Sequence, residues 1–316
     1  AVAAAPAPAP LAGGAQGGGG DVPHIAMELQ DRLVILKPPG WEVDQGPPRR
    51  PAGFSTEDEE AERRLLSSFL LSMAPSSMVA PIFEDTLHRR GMLHRLDVPS
   101  SGLLLVAKTY EAYYDLLLQL SSGLVVRDYA ALVHGWVEPE LAEISARVGS
   151  PHGVSRESAG HRPGQVDEKS GKHSLTRVKV LAHAVRRGRG GGGGEQEQRL
   201  SLLALRISTG RRHQIRVHTS SVGHPVVCDG KYTDTNTFLS DLDWCPRNFL
   251  HRHRLAFQGA SGEPLEVVAP LPEDLVQALE GLEAADEVSA AALDPWRAGA
   301  GACDWGTYTA LPESSA

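Results

Sequence analysis

Residues 94–108 read HRLDVPSSGLLLVAK. The run Leu103–Val106 is too apolar to be left in water, and Ser100, Ser101 and Gly102 in front of it permit close backbone approach. The expected result is a buried strand entered through a turn of small residues. Asp97 sits at the mouth of that strand, two residues after Arg95. A carboxylate in such a place is costly unless a cation keeps it ionised. The stretch therefore demands a sheet with a covered face, and it demands a cationic partner for Asp97 from elsewhere in the chain. An aspartate in an ordinary surface turn is the simpler reading, and the apolar run behind it argues against that.

Other segments supply the rest of the sheet. RLVILKPPGW (32–41) predicts a strand stopped by Pro38 and Pro39. RDYAALVHGWV (127–137) alternates with period two, which puts Tyr129, Ala131 and Val133 on one face of a half-buried strand. RLSLLALRIST (199–209), NFLHRHRLAF (248–257) and EPLEVVAP (263–270) are further strands, the last two joined by a glycine-containing turn. Helices are expected over 55–73, with Thr56 and Glu59 as a capping box, over 109–123 capped by Thr109, from Gly210 to a stop at Gly223, and over 272–282. Residues 147–198 are rich in Gly, Arg and Ser, with five glycines at 190–194, and read as a long surface insertion around one short strand, HSLTRVKVLAHA. The pattern is an α+β class: a mixed or antiparallel central sheet with flanking helices. It divides into an Ala/Pro/Gly-rich disordered tail (1–22), a catalytic domain (23–283) and an acidic C-terminal extension (284–316).

Charge adds a functional constraint. The net charge of −8 speaks against a nucleic-acid partner until its distribution is seen. From Gly259 onward there are eleven acidic residues and one arginine, so the remainder of the chain carries −8 + 10 = +2. Residues 206–254 hold eight Lys/Arg against four Asp, with five histidines. This fits a basic surface for phosphates beside an acidic tail. Cys228, Cys245 and Cys303 show no paired spacing, which fits a reducing compartment and argues against a disulfide framework or zinc knuckle. No apolar run approaches the ~20 residues needed to span a bilayer. The chain opens on Ala1 rather than Met, which leaves room for an upstream targeting segment.

The block STGRRHQIRVHTSSVGHPV (208–226) offers the cation. On a helix Arg212 and Arg216 share a face, and Ile215 beside them argues that part of the helix is inside. A buried Arg paired with buried Asp97 follows. Tyr129 is by default a core residue, and becomes a stacking platform for a base if these blocks converge on it.

HRLDVPSSGLLLVAK, RDYAALVHG, STGRRHQIRVHTSSVGHPVVCD and FLHRHRLAF…VVAPLPEDL together resemble the RluA/RsuA-like pseudouridine synthases, and the RluA branch most closely, in the right order across roughly residues 30–280. Ser100 stands where that family's pattern has Thr and keeps the hydroxyl; Arg127 stands where it has Lys and keeps the charge. The resemblance implies an RNA pseudouridine synthase with no metal and no organic cofactor. It implies Asp97 as the catalytic carboxylate, attacking ribose or base or abstracting a ribose proton, with Arg216 as its partner and Tyr129 stacked on the target base. Arg95 and His94 would hold the flipped-out nucleotide, with Arg211, His213, Gln214 and Lys231 as further substrate contacts. The expected partner is RNA (ribosomal, transfer or messenger), handled by a monomer away from any membrane. Two other readings compete. A metal-dependent hydrolase could use His94, Asp97, His213, His218, His224, His251 and His253, and metal analysis discriminates it. A catalytically weak RNA-binding relative would keep the basic cleft and lose the carboxylate.

Overall fold

The strands read from the sequence assemble into one eleven-stranded sheet in the computed structural model, which describes residues 21–45, 64–73, 80–149, 164–189, 195–299 and 305–312. In chain order the elements are β1 (His24–Glu28), β2 (Arg32–Lys37), α1 (Leu66–Ser72), β3 (Ser101–Ala107), α2 (Tyr110–Ser121), β4 (Val126–His134), β5 (Glu143–Gly149), β6 (Gln165–Val166), β7 (Lys172–Arg189) and β8 (Glu195–Ile207). They continue with α3 (Gln214–Ser221), α4 (Thr235–Leu242), β9 (Leu250–Gln258), β10 (Pro264–Val268), α5 (Glu273–Glu280), β11 (Glu283–Ala284) and α6 (Glu287–Arg297). The strand order is β1-β2-β3-β9-β4-β8-β7-β5-β6, with β10 on β9 and β11 on β7. Among the described residues only β3 and β9 pair in parallel, at Ser101↔His251 and Gly102↔Arg252. The sheet is mixed, with helices against it, as the α+β reading expected.

The apolar run of β3 is buried throughout. Gly102 is required at its start: φ is +130°, and a Cβ there would lie 2.5 Å from the backbone of Arg252. β4 lies at the centre. Its alternation puts Tyr129, Ala131 and Val133 into the core on one side of the sheet, and Ala130 and Leu132 into a second core on the other. The strand is thus covered on both faces rather than half-buried, because helices or loops pack on each side. Thr109 caps α2 by accepting from Ala112 N, and α3 ends before Gly223, whose φ is +89°.

Three expectations change. The 147–198 segment is not a surface insertion around a short strand. Residues 172–189 form the longest strand of the sheet, paired with β8 from Thr176↔Ile207 to Arg189↔Glu195. Val178, Val180, Leu181, Ala182 and Ala184 are buried there, so apolar residues at both parities outweigh the polar composition. The acidic stretch after 283 is also folded: α6 packs on β7 and carries Leu293 and Trp296 into the second core with Tyr308. The helix expected from Gly210 begins only at Gln214, because His213 turns left-handed at φ +54°. Of the helix expected over 55–73 only Leu66–Ser72 is seen, as α1; Leu65 is extended and bridges Glu42, and the Thr56–Glu59 capping box lies outside the described residues, as do the 1–20 tail and Cys303. No helix among the described residues is long and apolar enough to cross a membrane.

Candidate active site

Asp97 lies in the turn that feeds β3. Ser100 N donates to its carbonyl at 3.1 Å, and the next residue is fixed from below: Val98 O accepts from Gly40 N at 2.8 Å and from the fully buried Lys37 Nζ at 3.3 Å. The Asp97 side chain is 13% exposed and points into a cleft of about 500 Å³, within the usual range for small-ligand sites.

Its partner is Arg216, as the sequence suggested. Arg216 Nη1 donates to Asp97 Oδ2 at 2.8 Å, bringing together residues 119 apart in sequence. The remainder of the guanidinium is held by Asp229, with Nε to Oδ2 at 2.6 Å and Nη2 to Oδ1 at 2.7 Å. Asp229 is wholly buried, and its Oδ1 also accepts from Lys231 N. This bidentate fork leaves one edge of Arg216 for Asp97. Burial alone would raise the Asp97 pKa, but the opposing influence of His213, Arg216 and Arg95 holds it below the usual carboxylate value. The group is therefore ionised at neutral pH. Arg212 does not share a helical face with Arg216, since α3 starts after it.

His213 Nε2 lies 3.8 Å from Asp97 Oδ1, and its Nδ1 is 3.0 Å from Tyr232 Oη. Burial lowers its pKa to about 4, so at pH 7 it is uncharged, its pull on Asp97 acts only on acidification, and Arg216 and Arg95 are the charges that keep Asp97 ionised at neutral pH. Gln214 is engaged within the protein: its amide nitrogen donates to Leu175 O and Thr176 Oγ1, and its oxygen accepts from Thr209 Oγ1 and Arg211 N. Arg95 and Arg211 are exposed on the cleft wall. Lys231 is exposed and is not among the residues lining the cleft.

Tyr129 lines the same cleft. Its oxygen accepts from Arg252 Nε at 2.9 Å and from Arg252 Nη2 in a shorter contact. Arg252 is 1% exposed and also donates to Leu103 O and His94 Nδ1, both at 2.8 Å. His94 is thereby a support of Arg252: burial, then the Arg252 charge, hold its pKa well below normal, as an acceptor nitrogen requires. Neither Arg252 nor Asp229 was picked out from the sequence. A sequence signal for Arg252 exists, an arginine in phase with Leu250 on a strand whose neighbours are apolar. Asp229 carries none, because it follows VVC in a loop.

Of the seven residues of the hydrolase reading, His94, Asp97 and His213 line the cleft, while His218, His251 and His253 are held elsewhere. His251 Nδ1 meets Ser101 Oγ at 2.8 Å, His253 packs edge-on against Trp296 and Tyr308, and His218 Nδ1 meets Thr176 Oγ1. Among the described residues no group of three His, Cys, Asp or Glu is placed to hold a metal ion.

A family model for RNA pseudouridylate synthase matches residues 31–221, more than half of the chain. The chain belongs to that family. Ribosomal large subunit pseudouridine synthase D of Nitrosomonas europaea is 35% identical over 266 residues, covering 83% of this chain and 66% of that protein. Ribosomal large subunit pseudouridine synthase C of Haemophilus ducreyi is 35% identical over 264 residues, covering 83% of this chain and 69% of that protein. The chain thus spans about two thirds of the length of these curated relatives. The fold is that of the solved human RNA Pseudouridylate Synthase Domain Containing 1, at a TM-score of 0.57 with 23% identity over 85% of this chain and 91% of that one. The resemblance read from the four sequence blocks is borne out, and with it an RNA isomerase.

Proposed function

We propose that this cleft isomerises a uridine flipped out of RNA into pseudouridine, with Asp97 as the catalytic carboxylate. The observation that carries the reading is the chain Asp97–Arg216–Asp229 at the mouth of β3. It holds one ionised carboxylate, aimed into a cleft, with its partner arginine fixed from behind. The reaction breaks the bond from C1′ to N1, turns the uracil, and forms a bond from C1′ to C5. The proton on C5 leaves, and N1 takes one up. Asp97 serves either as nucleophile or as base without a metal. Tyr129 offers its ring to the base, and its oxygen is held by Arg252. Arg95 and Arg211 line the exposed wall, where they suit the phosphates of the nucleotide drawn out of its stack. Gln214 and His94 act as supports of that wall. Asp97, Arg216, Asp229, Tyr129 and Arg252 all come from one chain, so a monomer suffices.

The names of the relatives favour ribosomal RNA as substrate over transfer or messenger RNA. The test is to incubate the purified protein and Asp97→Asn with unmodified transcripts of large-subunit ribosomal RNA, transfer RNAs and messenger RNAs, and to map pseudouridine. Asp97→Asn is nearly isosteric and removes charge and nucleophile together. Turnover by that variant at even about a tenth of the parent rate, roughly 1.4 kcal/mol of barrier, would reject Asp97 as the catalytic group. The reaction has no net redox change and no group donor, so chelators are expected to leave the rate unaltered.

A further inference from the structure

The same cleft is lined by a third buried guanidinium besides Arg216 and Arg252: Arg127, two residues before Tyr129 on β4. Arg127 is 3% exposed. Its Nη2 donates to Ile207 O at 3.3 Å and to Ser208 O at 3.1 Å, and its Nε has no hydrogen-bond partner among the described residues. No carboxylate among those residues pairs with it; its neighbour Asp128 is taken by Arg206 and Arg254. Room is left beside it, because Gly210 carries no side chain and a Cβ there would lie 3.1 Å from Nη1. Burial lowers its pKa to about 10, so it stays cationic at pH 7, and the groups it senses are Tyr129 and Arg252. Arg127 and Tyr129 are alternate residues of β4 and so project to the same face of the strand, where both line the cleft. A buried cation with spare donors and no acid partner calls for an acceptor on the ligand.

We infer that Arg127 selects uracil over cytosine by donating to O4 of the flipped base, and that after the rotation step it re-forms an equivalent bond to O2. The inference rests on the pseudouridine synthase reading and deepens it. A guanidinium only donates. Uracil presents two carbonyl acceptors flanking N3–H. Cytosine replaces one of those acceptors by an amino donor, which would face Arg127 with no acceptor between them. The pattern of uracil is also symmetric about the line through N3 and C6. Half a turn about that line carries C5 to the place of N1 and exchanges O2 with O4. A donor that held one carbonyl before the turn meets the other afterwards, so one arginine serves substrate and product alike. Cytosine lacks that symmetry and would lose the contact in one of the two orientations.

The test uses the parent, Arg127→Lys and Arg127→Gln, with an RNA oligonucleotide carrying a uridine that the parent modifies and the same oligonucleotide with cytidine there. Lysine still only donates. Glutamine can turn its amide and accept from the cytosine amino group. For the parent and Arg127→Lys, the cytidine oligonucleotide is expected to compete about tenfold to a hundredfold more weakly than the uridine one, the cost of an unpaired buried polar group. For Arg127→Gln this gap should close, and kcat on uridine should fall more than KM changes. Thermal melting of each variant separates these effects from misfolding. A parent that binds both oligonucleotides alike would overturn the inference, as would Arg127→Gln with the gap intact, or a folded Arg127→Lys that has lost it. A parent that modifies no RNA at all would instead sink the pseudouridine synthase reading.

Discussion

Arg216 can present only one edge to Asp97, and Asp229 decides which. The two short bonds from Asp229 occupy Nε and Nη2, leaving Nη1 for Asp97. Asp229→Asn keeps the shape and removes the charge, so Arg216 stays buried with a weaker anchor. Removing one partner of a buried pair costs about 3–5 kcal/mol, and we expect denaturant unfolding to show a loss near the lower figure. Activity should fall with it, since Arg216 would be free to leave Asp97. A variant as stable and as active as the parent would show that Arg216 needs no second carboxylate. Tyr129 allows a related separation. Tyr129→Phe keeps the ring for stacking and removes the oxygen that accepts two Arg252 donors, so it should cost about 1–3 kcal/mol of stability. RNA affinity should change little, because stacking needs only the ring. If Tyr129→Phe binds RNA as weakly as Tyr129→Leu, the oxygen rather than the ring is what the nucleotide meets.

The β7–β8 hairpin and α6 carry the half of the molecule that composition conceals. The glycine run 190–194 lies outside the described residues, whereas the strands on either side of it in the chain form one of the longest ladders in the sheet. α6 closes over β7 through Leu293 and Trp296, and Trp296 stacks on Tyr308 at 6.0 Å. The acidic C-terminal region is therefore part of the core as well as a source of charge. Trp296→Ala should cost about 3–5 kcal/mol in a denaturant titration, by lost burial and the cavity left behind. A change below about 1 kcal/mol would mean that α6 contributes little to the second core. The same packing means that deletion after Gly281 should lower the melting temperature, whatever it does to RNA binding.

Across the whole molecule the buried histidines set the acid limit. Burial lowers the pKa of His251 and His253 to about 3 and of His213 to about 4, and His94 lies well below normal. All four resist protonation in the folded state, whereas the unfolded chain takes up protons near pH 6.5. Between about pH 6.5 and 4 the unfolded state binds more protons, so stability rises with pH there and is lost on acidification. His251 and His253, which titrate near 3 in the folded state, each contribute about 1.4 kcal/mol per pH unit across that window, and His213 and His94 act in the same direction. Asp97 does not offset this, since its pKa is depressed and its contribution is lost only as pH falls through a value below the usual carboxylate one. We expect the melting temperature to fall steeply from pH 6.5 to 4.5. An unchanged melting temperature over that interval would mean that these histidines are protonated in the native state.

The sequence by itself determined strands β2, β3, β4, β9 and β10 and the body of β8, the Thr109 cap, the Gly223 stop and the need of Asp97 for a buried arginine, which the family resemblance narrowed to Arg216. Each rests on a local cause: an apolar run or alternation, a hydroxyl three residues before an amide, a residue free to adopt positive φ, or a carboxylate that cannot be left alone. Only the tertiary structure decided which residues hold Arg216 and Tyr129 in place, Asp229 for the first and Arg252 for the second. Asp229 and Arg252 lie 132 and 155 residues from Asp97 in the chain, since 229 − 97 = 132 and 252 − 97 = 155. Nothing local distinguishes a loop aspartate or a strand arginine until the sheet brings it to the cleft. The left-handed turn at His213 and the burial of a polar-looking hairpin escaped for the same reason. Propensity describes a segment on its own, whereas burial on two faces is decided by the segments that cover it.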